Sequence, residues 1–385
     1  MKVLSLFDGM SCALLAMQGA DIPIERYVAY EIDKYAIQTA QHNFPNIEQK
    51  GDVFEADFTE FKGFDYLMGG SPCTYWSIAQ KNNRETEASG QGWELFSQYV
   101  RALKEAEPKY FVYENNKSMS SAIRESITET FGFEPICINS ALVSAQNRQR
   151  LYWVGKRNDD GTYSKVEIEQ PKDAGILLKD ILEDGLVEKD KAYCLKHQAG
   201  NARDYFKKHH TQIKFEPVSI DETHSIKSNE SYIQYDLSGK NFKSQDQRAY
   251  YPNSKHGTLT YSSTQSKTGV IEPVSYSIPI EFNEQGEPTM AVSPNDGKTY
   301  KVYKVMNGLI TIKDKQYPIK LADGFYIIRK LTVRECMRLQ TVPEWYEFPV
   351  SDTQAYKMLG NGWTVEVIIW LLQHTKEKKG NNYEY

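Results

Sequence analysis

Gly69-Gly70-Ser71-Pro72-Cys73 closes a short apolar run, Phe64-Asp65-Tyr66-Leu67-Met68. The glycines free the backbone to turn sharply, and the proline stiffens the residue that presents Cys73. A thiol held at such a turn is a candidate nucleophile once it loses its proton. A cysteine beside a turn is more often inert, so the rest of the chain must supply it with partners. Carboxylates stand at comparable places: Asp8 before Gly9, Glu31 after Tyr27–Tyr30, Asp52 after Gly51, and Glu114 after Tyr110–Tyr113. At the ends of buried strands the first three suit a nucleoside-containing cofactor, with Glu31 on the ribose hydroxyls and Asp52 near the adenine amino group. A solvated strand end is the plainer reading of Glu31, and a helix N-terminal charge that of Glu114. Gln146, Arg148 and Arg150 alternate, so an extended strand puts an amide and two guanidiniums on one face, suited to a planar or anionic group. A solvated face of an edge strand accounts for them as well.

The elements that must hold these residues are legible in part. Residues 2–7 read as a first strand, followed by the turn Asp8-Gly9-Met10-Ser11 and a helix from Cys12 to Met17. Strand, glycine turn and helix form the first unit of a doubly wound sheet, although one glycine does not make a GxGxxG dinucleotide loop. Further strands are expected at 27–30, around Ile47, at 64–68, 110–113, 134–141 and 151–155. Asp33 is placed to cap the helix after the second strand. Ala79 to Gly92 has no hydrophobic period and reads as a functional loop, a candidate lid. Leu95, Phe96, Tyr99, Val100 and Leu103 then recur at helical spacing. From Lys156 to Phe325 helical periodicity fades, and patches such as Ser231–Tyr235 and Lys301–Val305 suggest small antiparallel strands. Order returns near Ile327, where Thr332 and Glu335 match a capping box. Leu359-Gly360-Asn361-Gly362-Trp363 makes a last glycine-flanked turn before the apolar helix 365–372.

Composition sets the limits. The chain has 385 residues, enough for a catalytic domain and a smaller second one. No apolar run approaches the roughly 18 residues of a membrane span, and the first residues lack a signal-peptide layout. Cys12, Cys73, Cys137, Cys194 and Cys336 are scattered without CxxC pairs, which points to a reducing cytoplasm and against disulfides or a zinc site. Net charge is −5, yet residues 191–270 hold 12 Lys and Arg against 7 Asp and Glu. Such a window is either a phosphate-contacting surface or a solvated basic loop.

Together these motifs resemble the DNA (cytosine-5)-methyltransferase family over most of 1–155 and 325–372. Leu6-Phe7-Asp8-Gly9 is similar to its cofactor loop, Glu31 to its ribose-binding acid, and Gly51-Asp52-Val53 to its adenine turn. Gly70-Ser71-Pro72-Cys73 resembles its nucleophile loop, Glu114-Asn115-Asn116 its Glu-Asn-Val, and Gln146 to Arg150 its QxRxR element. Arg329 to Gln340 resembles its late arginine-bearing helix, and Gly360-Asn361 its final cofactor-side turn. Two departures stand out: the first loop reads FDGMS where many bacterial members carry FAGIGG, and Asn116 replaces the usual valine.

The resemblance implies an α/β fold, a Rossmann-like S-adenosylmethionine-dependent methyltransferase sheet with a smaller, mostly β target-recognition domain. The implied division is 1–156 and 326–375 for the catalytic domain, 157–325 for target recognition and 376–385 for a flexible tail. It implies S-adenosyl-L-methionine as cofactor, S-adenosyl-L-homocysteine as product and no metal. The implied catalytic residues are Cys73, Glu114, Arg148 and Arg150. The implied cofactor residues are Phe7, Asp8, Gly9, Ser11, Cys12, Glu31, Ile32, Asp52, Val53, Gly70, Pro72, Leu95, Asn361 and Trp363. The partner is double-stranded DNA, with a cognate restriction endonuclease as a further candidate. A monomeric enzyme of the bacterial cytoplasm, host- or phage-encoded, is expected. A tRNA cytosine-5 methyltransferase and a non-catalytic DNA-binding relative are the alternatives. An amino-methyltransferase lacks its Pro-Pro-Tyr-like motif here, and a nicotinamide dehydrogenase its GxGxxG.

Overall fold

The computed structural model describes residues 1–72, 75–77, 84–195, 206, 213–219 and 277–376. Cys73, the first five residues of the proposed lid (79–83), Ser231–Tyr235, most of the basic window and the tail from residue 377 lie outside them. Two compact units emerge. The first comprises Met1–Leu182, Lys189–Gln212 and Leu331–Tyr385; the second comprises Glu183–Glu188 and Ile213–Lys330.

In the first unit β1 (Lys2–Leu6), β2 (Arg26–Tyr30), β3 (Glu48–Gln49), β4 (Tyr66–Gly69) and β5 (Tyr110–Asn116) run parallel in the order β3-β2-β1-β4-β5. Their apolar runs follow from burial on both faces. β6 (Ile136–Asn139) forms the far edge. The reversed β8 (Gln149–Arg157) lies between it and β5, and β9 (Tyr163–Lys165) pairs with β8. Residues 157–182 therefore stay with the first unit. β7 (Gln146–Asn147) pairs in parallel with β10 (Ala192–Tyr193). Strand order reverses between β1 and β4, the place where open α/β sheets form a crevice beyond their carboxyl ends.

Helices α1 (Cys12–Gly19), α2 (Lys34–Asn43), α3 (Gly90–Ala106) and α4 (Ser121–Phe131) connect these strands, and α5 (Val333–Leu339), α6 (Asp352–Asn361) and α7 (Val365–Thr375) complete the unit. Asp33 caps α2 through the Tyr35 amide, and Thr332 and Glu335 form the reciprocal capping box of α5. α3 starts at Gly90, inside the stretch expected to be loop. Glu85 explains the early start: its carboxylate accepts the Gly92 amide and the Trp76 indole N–H, and so satisfies a first-turn donor from outside the helix. A side chain on Gly92 would meet that indole nitrogen at 2.4 Å. Phe58, Phe61, Phe96, Tyr99, Phe111, Tyr113, Phe131 and Trp153 fill one aromatic core beside the sheet.

The second unit is antiparallel: β11 (Ile213–Val218), β12 (Ile278–Phe282), β13 (Pro288–Val292), β14 (Thr299–Met306), β15 (Leu309–Ile312), β16 (Lys315–Pro318) and β17 (Gly324–Lys330), in the order β11-β17-β14-β13-β12, with β15 and β16 extending from β14. A mixed, parallel-rich α/β sheet with a separate mostly β module is the fold class the sequence implied. Among the described residues no helix is long and apolar enough to cross a membrane.

Candidate active site

The turn after β1 is built by more than its single glycine. Phe7, Gly9 and Ser11 all adopt left-handed backbone, at φ 55°, 58° and 60°. Phe7 and Ser11 are strained there, as functional turns often are. Asp8 holds the turn by accepting the Ser5 hydroxyl at 2.6 Å, the Tyr27 hydroxyl at 2.6 Å and the Ser11 hydroxyl. Burial pushes the Asp8 carboxyl up to about 6, against the pull of those three hydrogen bonds. Gly9 then donates its amide to Glu31 Oε2 at 2.8 Å, while Glu31 Oε1 accepts the amides of Ile32 and Asp33.

At the end of β4, Gly70 passes so close to β5 that a Cβ would lie 2.8 Å from the Glu114 carbonyl oxygen and 2.9 Å from Glu114 Oε2. The absence of a side chain at 70 leaves the Glu114 carboxylate its place. Ser71 is buried, and its hydroxyl meets that of Tyr113 at 2.7 Å; Asn115 Nδ2 donates to the Ser71 carbonyl and to the Tyr113 hydroxyl. The chain entering Pro72 is thereby clamped to β5.

Glu114 Oε1 pairs with Arg150 Nε at 2.9 Å, and Oε2 accepts Trp363 Nε1 at 2.8 Å. Both charged side chains are mostly buried. Burial alternates from Gln146 to Arg150, with Gln149 and Asn147 exposed. Gln146 turns away from the chemistry: its amide donates to the Leu339 carbonyl and to Gln340 and accepts Leu195 N–H. Arg148, 3% exposed, donates to the carbonyls of Gly360 and Gly362 and to Cys194 Sγ. It thus ties β8 to the turn between α6 and α7.

A cavity of about 250 Å³ opens at the β1/β4 reversal. Phe7, Asp8, Gly9, Cys12, Glu31, Gly70, Pro72, Asn361 and Trp363 line it, together with Glu114, Arg148 and Arg150. Others of the implied set lie off its wall. Ser11 is spent on Asp8, Asp52 caps a short turn through the Phe54 amide, and Val53 is in the aromatic core. Ile32 is 73% exposed, and Leu95 is half-buried on α3. Burial pushes the Cys12 thiol up to about 12, which leaves it a neutral packing group. Arg329, expected at the head of a helix, is in β17 and pairs within the second unit.

Two polar side chains at or near the wall were not among the residues the sequence singled out for the site. Lys357, which pairs with Asp33 at 2.6 Å, is four residues before Asn361 on α6, so helical spacing alone would have found it. Cys194 had no such signal. It reaches Arg148 only because β10 pairs with β7.

The family model of the C-5 cytosine-specific DNA methylases matches residues 1–377. The chain is 25% identical to the orphan methyltransferase M.SPRI of Bacillus phage SPR, over 96% of this chain and 95% of that one. It is 27% identical to the type II methyltransferase M.FnuDI of Fusobacterium nucleatum, over 98% and 94%. Among solved structures, a DNMT2 mutant of Spodoptera frugiperda superposes with a TM-score of 0.53 at 16% identity, over 97% of this chain and 98% of that one, a likeness of fold.

Proposed function

The chain belongs to the C-5 cytosine-specific DNA methylase family, enzymes of methyl transfer to cytosine C5 in DNA, and from that premise we propose how its residues carry the reaction. The substrate is a cytosine flipped out of double-stranded DNA, since C5 and C6 are inaccessible within the stacked duplex. The observation that carries the reading is one continuous cavity, with Glu31 and Asp33 in one part of its wall and Glu114 and Arg150 in another.

S-adenosyl-L-methionine fits the first part. Glu31 holds three backbone N–H groups and still has acceptor capacity for a ribose hydroxyl. Phe7, Gly9, Gly70 and Asn361 line the space around it. When bound, this cofactor supplies an electrophilic methyl group and leaves as S-adenosyl-L-homocysteine.

The chain's own residues make C5 reactive. Cytosine C5 is a poor nucleophile until C6 is attacked, and Cys73, next after the Ser71-Pro72 clamp, is the residue that attacks as thiolate. The new S–C6 bond pushes the ring's electrons towards C5 and raises the basicity of N3. Glu114 hydrogen-bonds N3 and the exocyclic amine and gives N3 its proton. Arg150 meets O2, and Arg148 fixes the turn behind it. After methylation a base removes the C5 proton, the C5–C6 double bond re-forms as Cys73 leaves as thiolate, and N3 returns its proton to Glu114. The target-recognition module falls within 157–325, in the second unit rather than in residues 157–182. Its support is the separate antiparallel sheet and the basic window at 191–270, so charge-removing changes there should weaken DNA binding and flatten its salt dependence.

The test is a trap. DNA carrying 5-fluorocytosine, incubated with the enzyme and S-adenosyl-L-methionine, should yield a covalent protein–DNA adduct, because fluorine cannot leave as the proton does. Cys73→Ala should form none. Absence of any adduct with fully substituted DNA of diverse sequence overturns the reading.

A further inference from the structure

Arg148 is a buried cation with an unusual set of neighbours. Its described side-chain partners are two backbone carbonyls, Gly360 O at 3.1 Å and Gly362 O at 2.7 Å, and the sulfur of Cys194 at 3.2 Å. Carbonyls supply dipoles, whereas a buried guanidinium calls for an anion. Glu114, the nearby carboxylate on the cavity wall, is already paired with Arg150 Nε and with Trp363. The same sulfur that faces Arg148 also lies 3.7 Å from Arg150 Nη2.

The backbone delivers that sulfur firmly. Ala192 and Tyr193 pair with Gln146 and Asn147, and the next residue along each chain is Cys194 and Arg148. Leu195 N–H is fixed by the Gln146 side chain at 2.7 Å, and Ala192 N–H by the Ala145 carbonyl at 2.7 Å. Cys194 is thus pinned before and behind.

We propose that Cys194 is a positioning residue for the reaction: its sulfur accepts from the Arg148 and Arg150 guanidiniums together and holds Arg150 at Nη2, beside the Nε that Glu114 holds. This rests on the role given above to Glu114 and Arg150. Arg150 is then held at two nitrogens, by Glu114 Oε1 at Nε and by Cys194 Sγ at Nη2. A guanidinium so fixed cannot swing away from Glu114 when substrate enters, which keeps its orientation ready for the base. Burial drives the Cys194 thiol up, but the charges and hydrogen bonds of Arg148 and Arg150 outweigh it and leave the thiol below its ordinary value. At Cys12 and Cys336 burial is the largest cause and the thiols are raised.

Two measurements test this together. In the Cys73→Ala background, part of the ultraviolet thiolate absorbance should appear at lower pH than for an ordinary thiol, and that part should disappear on adding Cys194→Ser. That readout needs no turnover. In the otherwise unchanged enzyme, Cys194→Ser and Cys194→Ala should each lower kcat about 10- to 100-fold, the worth of one charge-assisted hydrogen bond, with KM for DNA and cofactor within about twofold. A purely packing role predicts that serine rescues alanine. Wild-type kcat in Cys194→Ser, or no thiolate difference between the two Cys73→Ala proteins, overturns the proposal. If the thiolate is present but the unchanged enzyme forms no 5-fluorocytosine adduct, the reaction reading fails first and the positioning role falls with it.

Discussion

Glu114 and Glu216 occupy the same kind of place in two different sheets. Each is a buried carboxylate on a strand, and each pairs with an arginine of the neighbouring antiparallel strand, one diagonal step from the residue directly opposite. Tyr152 is opposite Glu114 while Arg150 binds it; Ile327 is opposite Glu216 while Arg329 binds it. The surroundings then diverge. Around Glu216 the charges close on themselves: Arg329 also reaches Asp184 and Asp296, Lys214 pairs with Asp184, and Ser277 and Asn295 donate to the Glu216 carboxylate. Around Glu114 the ring stays open on one side, with Gly70 opposite and a cavity in front. Buried charge with an arginine partner is therefore no mark of catalysis by itself. What marks it is the polar capacity left facing a space a ligand can enter.

The largest expected effect breaks the open cluster. Glu114→Gln keeps the shape and the acceptor for Trp363 but removes the acid and the anion beside Arg150. It should lower kcat about 10²- to 10⁴-fold in a steady-state methylation assay, the usual worth of a positioned acid. Cofactor affinity should hold. The closed cluster answers differently. Glu216→Ala takes one of three carboxylates from a 5%-exposed guanidinium, leaving it Asp184 and Asp296, and should cost up to about 3–5 kcal/mol in urea unfolding, with S-adenosyl-L-methionine affinity unchanged in the folded fraction. If Glu114→Gln costs only stability, or Glu216→Ala abolishes cofactor binding in folded protein, the contrast between the two clusters is wrong.

Asp8 sharpens the comparison, because it is a buried carboxyl with no cation at all among its hydrogen-bond partners. Its folded value is raised to about 6 from an ordinary 3.8. The native state therefore holds this proton more tightly than the unfolded chain. Its contribution to stability is full below the ordinary carboxylate value and is lost as pH rises through about 6. The difference between 3.8 and about 6 corresponds to about 3 kcal/mol. Asp8→Asn should remove that fall between pH 4 and pH 7, seen as a smaller pH slope in urea denaturation than the wild type shows.

The sequence made the parallel sheet legible because its strands are short apolar runs, each closed by a turn that names itself through Gly9, Gly51 or Gly70. It exposed Glu114 and Arg150 because period-2 alternation and strand ends are local properties. It hid what depends on pairing between distant segments. Asp52 and Val53 stand beside a glycine turn as a cofactor residue would, and the sequence did not show that Asp52 also caps a short turn or that Val53 packs in the aromatic core. Arg329 reads as the start of a helix because Thr332 caps one nearby, but cross-strand pairing with Lys214 keeps it in β17. The left-handed Phe7 and Ser11 carry no glycine signal, since the Asp8 hydrogen bonds hold them in place of backbone freedom. Cys194 is the extreme case, a residue whose neighbours are chosen by a two-residue strand pair.

The smallest expected effect comes from the ion pair at the cavity rim. Lys357 and Asp33 meet at 2.6 Å, closer than Glu114 and Arg150, but their side chains are 47% and 27% exposed. Water already solvates both charges, so bringing them together gains little. Burial raises the Asp33 carboxyl, and the hydrogen bonds it accepts from Lys357 and from the Tyr35 amide more than offset that, leaving the value lowered. A lowered carboxyl contributes its stability above the ordinary carboxylate value and loses it as pH falls through the folded one. Lys357→Ala should therefore cost about 0.2–1 kcal/mol near neutral pH at low salt. The cost should shrink towards zero in about 1 M salt, where the screening length falls to about 3 Å. Glu216→Ala should keep most of its cost in the same salt, because ions cannot enter a closed cluster. Equal salt sensitivity in the two variants would mean that burial does not sort these pairs, and the distinction between open and closed charge would lose its physical basis.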